Sequence, residues 1–374
     1  MTFTAEHELD EERLFRKPTI GEVVEVSNDR VFDALGRSYH RREVVVGDQS
    51  DNDPNTRQKF FEMANHAEMI LALNPHLKPT TVERYSNGKK QLVVDRANKP
   101  AMELYYDQGF PTQMTEWGTQ MMLAIALEPL QRLDEGGGRF LKDRKLDSRT
   151  LELFTYMPDG IGLRARQAIY SDLLVRKAEV ATQDRLQIVS LGSGAAVPNI
   201  RATLQIERQA FKEVDWNFFD NDAEALASAE LLISESTIEH SSFEYGPSHT
   251  NEEGISAFEG RSYIEARHVE KESLHVVDAL GLWEYLNDNE AATFLRMMYP
   301  KLRSGGSMIV SNMLKSRPHP LYNQKAVGWP EVIMRSDTEL LSIVQKSRTV
   351  VDTDQVVITH SQDGVYAVME IRKP

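Results

Sequence analysis

Hydrophobic and polar positions along this chain change rhythm near residue 185. Before that point apolar residues recur at helical spacing: Phe60, Met63, Ala64, Ala67, Ile70 and Leu71 share one face of a helix that Asn74-Pro75 ends. Trp117, Met121, Ala124 and Leu127 mark a second helix over 113–133, broken by Asp134-Glu135-Gly136-Gly137-Gly138, and a third is expected over about 163–180. Between the first two, residues 81–85 and 91–94 read as a hairpin, because Asn87-Gly88 supplies the positive φ of a tight turn. Residues 1–55 hold charge, turn formers and β-prone pieces at 22–26 and 43–46. Their pattern leaves open whether they form an arm or strands laid on the main body.

After residue 185 short apolar runs alternate with helical stretches, the pattern of an α/β protein with a parallel sheet. Strands are expected at 186–191, 214–219, 261–264, 274–280 and 307–311, with a polar insertion around 241–253. The last two, 350–359 and 365–372, are joined by so short a turn, Ser361-Gln362-Asp363-Gly364, that they must pair antiparallel. Two domains follow: a mainly helical one over 1–180 and a Rossmann-like α/β one over 181–374.

The chemistry concentrates where the first of these strands stops. Leu186, Ile188, Val189 and Leu191 run into Gly192-Ser193-Gly194, so the backbone can turn sharply and a ligand can lie against bare peptide, with the N–H groups of the next helix aimed at the same place. The second strand runs into Asp220-Asn221-Asp222, which sets a carboxylate where doubly wound proteins hold a ribose diol. A dinucleotide fold asks for a third glycine where this chain has Val197. Ala196 suits instead the looser turn of proteins that bind S-adenosylmethionine (SAM), a cofactor without a pyrophosphate.

Composition narrows the classes. With 374 residues, 41% hydrophobic, the chain can bury a large core, and without cysteine it forms neither disulfides nor thiolate metal sites. A formal charge of −14 argues against binding a nucleic-acid backbone. The ten histidines lack ligand spacing, so no metal site is expected. The acidic N-terminus is unlike a secretory signal and no window is apolar enough to span a membrane, so a cytoplasmic protein acting on a small molecule is expected, its oligomeric state open.

VSLGSGAAVP, FFDND, LHVVDALGLWEYL, LRSGGSMIVSNM and the closing hairpin, in this order, resemble the class I SAM-dependent methyltransferases over about 187–374. GLWEYLND, WPEVIMRS and YAVMEIRKP are further similar to bacterial enzymes that methylate the carboxylate of 3-hydroxy fatty acids. The resemblance implies a seven-stranded sheet. It also implies backbone contacts from Gly192, Ser193 and Gly194 to the cofactor, ribose binding by Asp220 and a shared role or a helix cap for Asp222. Adenine would sit at the end of the third strand, near Glu265, Ala266 or Arg267, and Leu280 and Gly281 would pass beside the transferring methyl. The chain departs from the pattern at Ser190 and His275, where acidic residues are common, and at Ser304 in place of a proline.

Charge placement completes the expectation. Arg164 and Arg166, just upstream of the first strand, are positioned to anchor the methionine carboxylate of SAM. Arg335, Lys315 and Arg317 follow the fifth strand and offer charge to a carboxylate acceptor, while Trp283, Tyr285, Tyr322 and Trp329 could wall an apolar slot or serve as packing. No histidine or aspartate in the motifs stands out as a base, which favours an acceptor that is a carboxylate or another ready O-nucleophile. Two rival readings are an inactive SAM-fold partner protein and an NAD-linked oxidoreductase.

Overall fold

The computed structural model describes residues 17–77, 81–86, 89–94, 127, 148–210, 212–220, 223–234, 241–245, 270–327, 332–349 and 352–374. Its centre is a nine-stranded sheet. Strands β5 (Arg185–Leu191), β6 (Glu213–Asp220), β7 (Ser241–Tyr245), β8 (Leu274–Ala279) and β9 (Leu302–Met313) run parallel in the spatial order β7-β6-β5-β8-β9. The chain therefore builds outward from β5 on one side and then returns to its other side. β11 (Tyr366–Arg372) lies antiparallel between β9 and β10 (Val356–Ser361), as the short turn requires. Every residue of β8 is buried, the mark of a central strand covered on both faces.

The sheet is two strands wider than the seven expected. β1 (Val23–Phe32) and β2 (Ser38–Val46) form an antiparallel hairpin, and β2 pairs parallel with β10 at that edge. The neighbour of β6 is also not the segment expected: Ser241–Tyr245, read from sequence as a polar insertion, pairs there, and 261–264 lies outside the described residues. Ser241, Ser242 and Glu244 hid a short strand whose backbone pairing supplies what its pattern lacks. β3 (Thr81–Ser86) and β4 (Lys89–Val94) make the separate hairpin anticipated around Asn87-Gly88.

Helices α1 (Pro54–Leu73), α2 (Ser148–Tyr156) and α3 (Pro158–Val180) precede β5. α3 starts five residues earlier than its apolar spacing predicts, because Pro158 at its first position favours helix entry. It is no outer cover: 17 of its 23 residues are buried, and its side chains Ala165, Ile169 and Leu174 share one apolar core with Val44 and Val46 of β2, Ile188 of β5 and Val368 of β11. The helical segment before residue 180 and the sheet after it thus share packing. Helices α4 (Val197–Gln209), α5 (Ala223–Ser234), α6 (Asp288–Met298) and α7 (Asp337–Lys346) complete the layers. Capping boxes from Asn287 with Glu290 and from Ser336 with Glu339 set where α6 and α7 begin.

Candidate functional site

The site lies at the carboxyl ends of β5, β6 and β8, where strand order reverses and open α/β sheets leave a crevice. Gly192 and Gly194 both take positive φ, 65° and 56°, which only glycine adopts without strain. The N–H groups of Gly192 and Ser193 both donate to the Phe219 carbonyl, at 2.8 and 3.2 Å, and the Gly194 N–H donates to Asp220 Oδ2 at 2.6 Å. The glycine turn and the strand-end carboxylate are therefore one hydrogen-bonded unit. Ser193 Oγ is buried with no hydrogen-bond partner, an orphan atom at the lip of a cradle. Ala196, also at positive φ, precedes α4 without a side-chain cap, so the N–H groups of Val197 and Asn199, either side of Pro198, start the helix without a cap from that side chain.

Beneath the turn sits a buried polar network that sequence reading missed. Asp278 of β8 accepts from Ser190 Oγ at 2.8 Å, from Tyr170 Oη at 2.6 Å and from Asn199 Nδ2 at 3.2 Å. Burial pushes its carboxyl up to about 7, the three donors pulling back only in part. The acidic group absent at Ser190 is supplied from the strand alongside, where Asp278 is the register partner of Ser190. His275 is no substitute for it. It lies at the opposite end of β8, bonded to the Gln187 N–H, and burial with Arg303 and Lys177 nearby lowers it to about 4, so it stays neutral.

A second set of charges gathers beyond β8. A Cβ placed on Gly281 would lie 3.9 Å from Arg166 Nη2, so Arg166 reaches the segment after β8. Its guanidinium stands 4.7 Å from the Tyr366 ring centre and 3.8 Å from Glu284 Oε1, and it donates to Ser311 Oγ at 3.4 Å; Ser311 itself donates to the Leu280 carbonyl. Burial raises Glu284 to about 7 although Arg166, Arg317 and Arg335 act to lower it. Arg317 Nη2 lies 2.7 Å from Asp159 Oδ1, close for charge pairing but poorly angled for a hydrogen bond, and Asn323 Nδ2 donates to that same oxygen at 2.7 Å. Arg166, Arg317 and Arg335 of this group were singled out from sequence; Asp159, Glu284, Asn323 and Tyr366 come from four separate segments with no shared motif.

Several expected site residues have other work. Arg164 is buried with its fork on Asp48, at 2.6 and 2.9 Å, and its remaining N–H groups bond the carbonyls of Phe154 and Thr155. That use leaves no fork for a cofactor carboxylate, so Arg164 is a brace between the segment after β2 and the end of α2. Arg166 faces Glu284, which already balances its charge. Arg335 brackets the loop after β8, donating to the carbonyls of Trp283 and Leu286 and to Asn312 and Asp288. Lys315 pairs with Glu339 at the surface. Trp283 and Tyr322 are fully buried core residues, Trp283 edge-on to Phe294, so they wall no open slot. Tyr285 is exposed. Leu280 is buried, its carbonyl accepting from Ser311 Oγ, and Gly281 follows it next to Arg166. Trp117, Met121, Asp222, Glu265, Ala266, Arg267 and Trp329 lie outside the described residues. Among the described residues no cluster of His, Cys, Asp and Glu could hold a metal ion, and no helix is long and apolar enough to cross a membrane.

No protein-family model matches the chain. No curated protein matches it in sequence. Among solved structures it is similar to a possible exported protein from Bordetella parapertussis, 13% identical over 87% of this chain and 99% of that one, with a TM-score of 0.49. It is also similar to magnesium protoporphyrin IX methyltransferase from Synechocystis PCC 6803 with bound SAH, 10% identical over 67% and 96% of the two chains, with a TM-score of 0.40. Human N-acetylserotonin methyltransferase in complex with SAM is 15% identical over 83% of each chain, with a TM-score of 0.36. Likenesses at these values describe shape and carry no argument about activity.

Proposed function

We propose that this chain is a SAM-dependent methyltransferase acting on a small molecule. The observation that carries the reading is the unit at the sheet's reversal point, in which Gly194 N–H is held by Asp220 beside an orphan Ser193 Oγ. A ribose diol suits a carboxylate at that strand end, because charge-assisted bonds to two hydroxyls fix both position and direction. The N–H groups of Val197 and Asn199 at the start of α4, Pro198 between them having none, would offer the methionine carboxylate a partner in place of the two arginines expected from sequence. Val197, where a dinucleotide fold needs glycine, and β11 lying antiparallel between β9 and β10 both favour SAM over NAD. The bound group supplies an activated methyl on a sulfonium. The protein's part is to hold the acceptor in line with it and keep water out.

α1 braces the acceptor side: Glu68 accepts from the N–H groups of Leu321 and Tyr322, and Asn65 meets His319. The segments before residue 180 accordingly cover the acceptor, and those after it hold the cofactor. Asp220→Asn keeps the shape of the turn but removes the charge. Titration calorimetry with S-adenosylhomocysteine should show affinity reduced about tenfold or more, since a hydrogen bond to a charged group contributes roughly 1.5–3 kcal/mol. Unchanged affinity in a folded variant would sink the cofactor assignment, and heat released on adding NAD but not S-adenosylhomocysteine would favour the oxidoreductase.

A further inference from the structure

The charged group beyond β8 is closed to solvent yet incompletely bonded. Glu284, Asp159, Arg317, Asn323 and Tyr366 are all buried, and Glu284 Oε2, Asp159 Oδ2, Asn323 Oδ1, the Tyr366 hydroxyl and Arg317 Nη2 have no hydrogen-bond partner. Leaving such an atom bare inside a protein is costly, most of all for a charged group, so five together mark a place built for something else to enter. They belong to one place: Glu284, Arg166, Asp159 and Arg317 all act electrostatically on the Tyr366 hydroxyl, and Arg166 links them to Gly281.

The kind of occupant follows from which atoms are bare. Three of the five are oxygens that accept, and the carboxylate partner of Asn323 Nδ2 fixes which end of that amide is bare. The fourth, a phenol, either donates or accepts, and the fifth, Arg317 Nη2, donates. Charge is balanced, Arg166 with Glu284 and Arg317 with Asp159, so a carboxylate entering here would bring a buried negative charge without a partner. An occupant that donates meets the three bare oxygens, and one that also accepts, as a hydroxyl does, meets Arg317 Nη2.

We propose that Arg166, Glu284, Arg317, Asp159, Asn323 and Tyr366 form the acceptor site, and that it takes a small molecule presenting an O–H or N–H group whose proton passes to Glu284. This rests on the methyltransferase reading above. In the transfer a bond forms between the acceptor's oxygen or nitrogen and the methyl carbon, the carbon–sulfur bond breaks with its electron pair left on sulfur, and Glu284 takes the displaced proton. A base is what a hydroxyl or amine needs and a carboxylate does not. Glu284 is poised for it: burial holds its carboxyl near 7 against the pull of Arg166, Arg317 and Arg335, while Asp159 and the Tyr366 phenol complete the titratable groups around it.

The test uses the full chain saturated with S-adenosylhomocysteine and two probes of one skeleton, benzyl alcohol and benzoate, read by saturation-transfer NMR. Failure of the wild type to bind S-adenosylhomocysteine by calorimetry would instead remove the methyltransferase reading itself. With that binding intact in wild type, Glu284→Gln and Asp159→Asn, benzyl alcohol should saturate severalfold more than benzoate in the wild type. Each variant should lose most of that signal. Preference for benzoate, or the lack of any probe whose signal depends on Glu284 or Asp159, would overturn the proposal.

Discussion

Below about pH 7 Asp278 and Glu284 each hold a proton that the unfolded chain releases. Burial raises Asp278 from 3.8 to about 7 and Glu284 from 4.5 to about 7. A carboxyl whose folded pKa lies above its unfolded value contributes stability that is full below the unfolded value and is lost as pH rises through the folded one. Stability from Asp278 should therefore fall between about pH 4 and 7. Asp278→Asn has no such proton to lose. Denaturant melts at pH 5 and pH 8 should show the variant gaining on the wild type by an amount on the order of a few kcal/mol as pH rises. Parallel pH dependence in the two proteins would mean that Asp278 is ionised throughout. Asp48 shows the opposite case: burial pushes its carboxyl up, but the bonds from Arg164 outweigh this and hold it below the usual range.

At the scale of elements, α3 decides how these groups are assembled, because one helix carries Asp159 to Arg317, Arg166 to Glu284 and Tyr170 to Asp278. Its first turn reaches that depth only because Gly160 and Gly162 carry no side chain. A Cβ on Gly162 would fall 2.5 Å from Val365 Cβ, and one on Gly160 would fall 2.2 Å from the Phe154 carbonyl. Gly162→Ala should destabilise the protein by about 1–3 kcal/mol through overpacking, read as a lower denaturation midpoint. Val365→Ala in the same chain removes two of the three close atoms and should restore part of the loss. A Gly162→Ala protein as stable as the wild type would show that α3 can stand further from the β10–β11 turn.

For the molecule as a whole, packing and strand pairing cross residue 180, where the sequence pattern suggested a domain boundary. The β1–β2 hairpin extends the sheet at β10, and buried Arg42 ties it to Glu25 and, on α3, to Asp172, at 2.6 and 2.7 Å. Cutting the chain before residue 181 would strip α3 from β5, β8 and β11 and uncover an apolar face. The 181–374 fragment should give no sharp calorimetric unfolding transition. A cooperative transition near that of the full chain would make the sheet half an independent folding unit after all.

Much of the framework was legible in local pattern. Alternating strands and helices, the glycine turn, Asp220 beside it and the closing antiparallel pair are set by residues within a few positions of one another, and backbone sterics and apolar periodicity act over that range. Residues that meet from afar were not. The widening of the sheet by β1 and β2, the choice of 241–245 as the strand beside β6, and the use of Arg164 on Asp48 depend on partners far apart in sequence. Ser190 looked like a loss until Asp278 appeared next to it, and Glu284 looked like a loop residue until folding buried it beside Arg166. A pattern along the chain records what each segment can become. Which charges face one another in the dry interior, and with which atoms left bare, is decided only when the segments pack.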